Sequence, residues 1–169
     1  MLKRRTMIQS LAALAAPGAV LPALAAQAEG PLPALGSALQ LAPLSLLDGR
    51  SWSPAAAQGQ VLVVYWWASW CPFCALQSPH IEALWRAQRA RGLQVLALSI
   101  DAQASAAQGY MKAKGYSFPA AMYTPELAKV LAKPRGLPVV VVRGRDGLVV
   151  FREAGEMFPE DVEGLKKFL

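Results

Sequence analysis

The stretch Gln60-Val61-Leu62-Val63-Val64-Tyr65-Trp66-Trp67-Ala68-Ser69-Trp70-Cys71-Pro72-Phe73-Cys74 decides how this chain folds. The run to Trp67 is apolar and rich in β-branched and aromatic side chains, which predicts a strand buried on both faces. Helical signals begin immediately after Cys71. Pro72 suits the first helical position, where its missing N–H costs nothing, and the segment to about Arg91 is rich in Ala, Leu, Gln and Arg before Gly92 stops it. Cys71 is therefore the predicted N-cap of a helix that starts where a buried strand ends.

Cys71 and Cys74 are the only two cysteines in the chain. So closely spaced at a strand-to-helix junction, they can form a tight reversible disulfide, whereas a structural staple usually joins segments distant in sequence. A sulfur at the N-cap faces unpaired backbone N–H groups and the positive end of the helix dipole, and both favour thiolate over thiol. Cys71 is the expected attacking sulfur. Cys74, about one turn further in, is the expected resolving sulfur, near enough to displace a partner from a mixed disulfide but too covered to meet that partner first. Zinc is disfavoured, because thiolate zinc sites usually take four ligands and the chain has one histidine and no third cysteine. A two-thiolate Cu(I) site stays open, since soft sulfur suits that ion, although the five methionines form no cluster.

From about Leu39 to Leu169 the chain resembles the thioredoxin superfamily, specifically the TlpA-like and ResA-like thiol–disulfide oxidoreductases of the bacterial cell envelope. The resemblance is carried by Trp67-Ala68-Ser69-Trp70-Cys71-Pro72-Phe73-Cys74, by Pro79 within the following helix, by Gly136-Leu137-Pro138 before a valine-rich strand, and by the Arg145-Asp146-Gly147 turn. It implies an α/β, thioredoxin-like fold: a central mixed sheet flanked by helices, with an added N-terminal β-hairpin. It further implies a cis Pro138 beside the disulfide, with the backbone of Leu137 placed to pair with a bound substrate chain. The activity it implies needs no cofactor. The protein would exchange a Cys71–Cys74 disulfide with cysteines of envelope proteins, more as reductant than oxidant, and a redox-recharging partner would restore it. The rival reading is a thioredoxin-like metallochaperone that carries Cu(I) without disulfide turnover.

Two positions depart from the family pattern. Tyr65 stands where thioredoxins carry a buried aspartate, and Gln77 where many TlpA-like and ResA-like proteins carry a glutamate three residues after the second cysteine. Glutamine cannot titrate, and tyrosine is a poor base near neutral pH. Both are expected to tune the sulfurs, while proton transfer at Cys74 falls to water or another group. Glu82, the next acid on the helix, lies roughly 12 Å further along its axis and is too far to serve.

The remaining candidates follow from position. Trp66 and Trp67 alternate across the strand and are expected in the core. Trp70, Pro72 and Phe73 border the sulfurs and are expected, with Leu137 and Pro138, to contact substrate; Trp70 is also expected to limit water access. His80 is rotated about 240° from Cys74 on the helix and is expected to be a surface or packing residue.

Composition and the N-terminus bound the setting. At 169 residues and 54% hydrophobic content, one well-packed domain is expected over 39–169. Residues 1–28 read as an export signal: Lys3-Arg4-Arg5, an Ala/Leu stretch broken by Pro17-Gly18, then the small-residue pattern Ala26-Gln27-Ala28. The paired arginines resemble a twin-arginine signal. Periplasmic placement is expected after cleavage, with no stable membrane span, because Gln9, Ser10, Pro17, Gly18 and Pro22 make a poor membrane helix. Three of the net +6 charges sit on Lys3, Arg4 and Arg5, leaving +3 on the rest, too modest to suggest nucleic acid. Residues 29–38 read as a linker or unstructured lead-in. Leu39–Leu47 and Arg50–Ser53, joined at Asp48-Gly49, read as the added hairpin.

Overall fold

The computed structural model describes residues 29–169; the export segment expected over 1–28 lies outside the described residues. In chain order the elements are β1 (Glu29–Gly30), β2 (Leu44–Ser45), β3 (Ser51–Trp52), β4 (Val61–Trp67), α1 (Pro72–Gln88), β5 (Leu93–Ser99), α2 (Ala104–Lys114), β6 (Ala120–Met122), α3 (Pro125–Ala128), β7 (Lys133–Pro134), β8 (Val139–Arg143), β9 (Val149–Ala154) and α4 (Pro159–Gly164). Short 3-10 turns occupy Pro54–Ala57, Arg89–Arg91 and Leu165–Phe168.

The main sheet has the order β6-β5-β4-β8-β9. β5 runs parallel to β4 and β6 to β5, whereas β8 and β9 are antiparallel, so this is a mixed sheet flanked by helices, a thioredoxin-like fold. β4 is central and every one of its residues is fully buried. Its period-two alternation divides the core. Val61, Val63, Tyr65 and Trp67 share one cluster with residues of α1, α2 and α4, while Leu62, Val64 and Trp66 share the other with Leu46, Trp52 and Leu127. A strand covered on both sides has no reason to alternate polar with apolar, which is why it reads as a continuous apolar run. Gly92, in the left-handed region at φ 91°, ends the helical stretch as expected.

The N-terminal segment differs from expectation. Only β2 and β3 form the hairpin, closed by Asp48, which accepts from the Arg50 backbone N–H at 3.0 Å. Pro43 cannot donate to a ladder, and the Leu39 N–H is already spent on the Gly147 carbonyl at 3.3 Å. Residues 29–38 are not a free lead-in. β1 pairs in parallel with β7, the Gly36 N–H donates to the Val149 carbonyl at 2.8 Å, and the Val149 N–H donates to the Ser37 carbonyl at 2.9 Å. The Arg152 guanidinium donates to the carbonyls of Leu32 and Pro33. On the far side of the sheet, the Leu47 N–H donates to the Ala120 carbonyl of β6 at 2.7 Å. Pro and Gly bar this segment from helix, but an extended chain still offers carbonyls and N–H groups to strands beside it.

Glu82 is 8% exposed and acts as a tether. Its carboxylate accepts from the Ser117 N–H and hydroxyl, the Phe118 N–H and the Arg86 guanidinium. Burial pushes its pKa up, but the hydrogen bonds from Ser117, Arg86 and Phe118 outweigh that and hold it below the usual carboxylate range. A carboxylate with a lowered folded-state pKa stabilises fully above its unfolded pKa and loses that contribution as pH falls through the folded value. Glu82→Gln should therefore cost about 1–3 kcal/mol at neutral pH. It should also flatten the acid limb of stability, measured by urea unfolding over about pH 3 to 7.

Candidate active site

β4 delivers the chain to the site and a single turn reverses it into α1. The Trp67 carbonyl accepts from the Ile100 N–H at 3.0 Å and the Ala68 carbonyl from the Cys71 N–H at 3.2 Å. Cys71 caps the helix with φ −83° and ψ 115°, and its Sγ accepts from the Cys74 N–H at 3.1 Å. A sulfur so placed meets a backbone donor at the positive end of the helix. Cys71 and Cys74 are joined as a disulfide, with Cα atoms 5.2 Å apart. Both residues are buried, Cys71 at 4% and Cys74 at 1% exposure.

The Leu137–Pro138 bond is cis. Register brings it to the site: Trp66 lies opposite Val139, so Pro138, one residue earlier, falls at the β4–α1 end of the sheet. Pro138 is buried, its carbonyl accepting from the Gly155 N–H at 2.9 Å. Leu137 is half-buried and packs on the cluster that contains both cysteines. Trp70, Phe73 and Leu76 are 65%, 54% and 57% exposed around the same turn. Trp70 stands out into solvent rather than lying as cover, and Leu76 extends the apolar surface beyond the residues that sequence reasoning named.

Tyr65 and Gln77 are both fully buried, Tyr65 against the Cys74 carbonyl and Gln77 three residues beyond Cys74 on α1. The Tyr65 hydroxyl is 3.0 Å from Ser78 Oγ and donates to the Cys74 carbonyl at 3.4 Å. Desolvation pushes its pKa well above the ordinary phenol range, so it remains a donor. Gln77 Oε1 accepts from the Met157 N–H at 2.7 Å, while its Nε2 is buried with no hydrogen-bond partner. That N–H fixes which end of the amide is oxygen. His80 is half-buried and lines a cavity with Leu84, Pro159 and Glu163 between α1 and α4. Among the described residues no group of three or more His, Cys, Asp or Glu could hold a metal.

Sequence reasoning missed Asp101. This residue is 6% exposed, and its carboxylate accepts from the Ser69 N–H at 3.1 Å, the Ser69 hydroxyl at 2.6 Å and the Ser99 hydroxyl at 2.7 Å. It ties down the turn that carries Trp70 and Cys71. The signal was a lone acid just past an apolar strand: with Trp67 paired to Ser99, two further residues on each strand bring Ser69 beside Asp101.

Comparison with known proteins gives this geometry its class: it is that of the thiol–disulfide oxidoreductases of the thioredoxin superfamily. The chain belongs to the Redoxin family, whose model matches residues 21–169. It is similar to the thiol-disulfide oxidoreductase ResA of Bacillus thuringiensis (strain Al Hakam), with 25% identity over 121 residues that cover 72% of this chain and 70% of that one. Its fold is shared by a thioredoxin-family thiol:disulfide interchange protein of Chlorobium tepidum TLS, at a TM-score of 0.73 and 24% identity over 80% of this chain and 97% of that one. StoA of Bacillus subtilis shares it too, at a TM-score of 0.63 and 18% identity over 76% and 97%.

Proposed function

We propose that this oxidoreductase works in the bacterial periplasm, passing electrons to disulfides of partner polypeptides through a mixed disulfide on Cys71. The observation that carries the reading is Cys71 Sγ at the helix N-cap, 3.1 Å from the Cys74 N–H. In the dithiol form, the Cys71 thiolate attacks one sulfur of the partner disulfide, and the other partner sulfur leaves as thiolate. Cys74, deprotonated, then attacks Cys71 Sγ, closes the Cys71–Cys74 disulfide and releases the second partner thiolate. Two electrons reach the partner, and a recharging protein returns two. Neither Gln77 nor Tyr65 is a base, so water or the released partner thiolate takes the Cys74 proton.

Trp70, Phe73 and the adjoining Pro72 form the contact surface for the partner, with Leu137 and Pro138 on the other side of the sulfurs. Leu76 enlarges it. Exposed apolar side chains clustered at a reactive centre suit a polypeptide better than a small polar thiol. The basic, Ala/Leu-rich leader ending at Ala26-Gln27-Ala28 supports export. Among the described residues no helix is long and apolar enough to cross a membrane.

The test sets reduced protein against a disulfide-bonded polypeptide, with free thiols counted, beside an anaerobic Cu(I) titration. Stoichiometric release of partner thiols is expected. One tightly held Cu(I) per chain with no disulfide turnover would replace this reading with that of a copper carrier.

A further inference from the structure

Lys133 is only 5% exposed, and its ammonium lies among three acceptors. Glu29 Oε1 is at 2.9 Å, the Pro134 carbonyl at 2.7 Å and the Gly136 carbonyl at 3.4 Å. An ammonium has three donor protons, so the set is complete. Pro134 and Gly136 belong to the backbone that leads directly into Leu137–Pro138. The charge is thus placed where it holds two carbonyls immediately ahead of the residues that face a partner chain.

A buried ammonium is tolerated when it is paired and fully hydrogen-bonded, and breaking such a pair leaves an uncompensated charge. Among the described residues the counter-charge in contact with Lys133 is Glu29. Glu29 is 104 positions away in sequence and reaches Lys133 through the parallel pairing of β1 with β7, Glu29 opposite Lys133 and Gly30 opposite Pro134. The approach is close. A Cβ added at Gly30 would sit 2.7 Å from the Ala132 Cβ, so a larger residue there pushes β1 away from β7.

We infer that Glu29 and Lys133 are positioning residues for exchange with polypeptides: Glu29, carried by β1, seats the buried Lys133, and Lys133 holds the Pro134–Gly136 backbone so that Leu137 meets the partner chain in one conformation. This rests on the reading of Leu137 and Pro138 as partner-facing. Neither charge touches the reacting sulfurs. A small disulfide such as glutathione disulfide needs only Cys71, whereas a polypeptide disulfide also needs the backbone beside it.

The experiment compares the full chain with Glu29→Gln, Gly30→Val and Lys133→Met, each assayed with glutathione disulfide and with a disulfide-bonded polypeptide. Glu29→Gln removes the charge at a partly exposed side chain, and Gly30→Val displaces β1 with both charges kept, so the test survives if Lys133→Met fails to fold. The expected result is a loss of about tenfold in kcat/KM for the polypeptide, carried by KM, with the glutathione disulfide rate within about twofold of wild type. Equal losses on both substrates, or wild-type polypeptide rates in folded Glu29→Gln and Gly30→Val, would overturn the inference. Wild-type protein that turns over glutathione disulfide but no polypeptide disulfide would instead overturn the partner-facing reading of Leu137, and this inference with it.

Discussion

Cys71→Ser ends exchange, lowering the rate by about a thousandfold or more, while Cys74→Ser accumulates its partners as stable mixed disulfides. The two residues look alike in exposure, since both are buried in the disulfide. Their roles differ through the helix. Cys71 Sγ sits at the N-cap, outside the first turn, and receives the Cys74 N–H; Cys74 is within the turn, its carbonyl approached by the Tyr65 hydroxyl. Attack on a partner requires an ionised sulfur, and the N-cap position favours ionisation of Cys71. Non-reducing electrophoresis of each variant after incubation with a disulfide-bonded polypeptide reads the outcome. Adducts on Cys71→Ser, with none on Cys74→Ser, would reverse the assignment of attacker and resolver.

Gln77→Glu raises the Cys71 pKa, each pH unit of that rise being worth ~1.4 kcal/mol. The same change makes the couple more negative by about 30 mV for each ~1.4 kcal/mol. The cause is charge in a dry place. Gln77 is fully buried one helical turn beyond Cys74, and its side-chain oxygen already accepts the Met157 N–H, so a carboxylate there keeps a donor that supports its ionised form. Once ionised it opposes a thiolate nearby, destabilises the dithiol and favours the disulfide. Thiolate absorbance against pH and redox titration of both proteins measure the two effects. Equal values in wild type and variant would mean that Gln77 has no electrostatic hold on the sulfurs. Folding stability should fall by about 1–3 kcal/mol as well, because a buried carboxylate replaces a neutral amide.

The redox end of the molecule was legible because its signals are local. Pro72 after Cys71, the apolar run to Trp67 and the stop at Gly92 each act within a few residues, and the elements they predict are present with boundaries close to those read. Thr124 and Pro125 start α3 by a cap of the same local kind, with Thr124 Oγ1 accepting from the Leu127 N–H. The cis state of Leu137–Pro138 came only through family likeness, since nothing in the local sequence distinguishes it from an ordinary strand-opening proline. Illegible were contacts made across long sequence separations by polar groups. Asp101 reaches Ser69, Glu82 reaches Ser117, and Lys133 reaches Glu29; no periodicity marks such residues, and a charged side chain in sequence reads as surface until a fold buries it. The segment 29–38 misled for the complementary reason: Pro and Gly report the absence of helix, and an extended chain laid against a strand has the same composition as a free linker.

That segment also bears on what the enzyme must avoid. An open sheet ordinarily ends in strands whose vacant N–H and C=O groups template any extended polypeptide, including copies of itself. A protein that handles other chains would be exposed to such capture at every encounter. Here Gly36 and Ser37 engage Val149 at the start of β9, Leu39 engages Gly147 just before it, and Leu47 engages β6 at the opposite border. Deleting residues 36–39 would unmask the start of β9 and invite aggregation far from the sulfurs. With the segment in place, the start of β9 and the start of β6 already have backbone partners from the same chain.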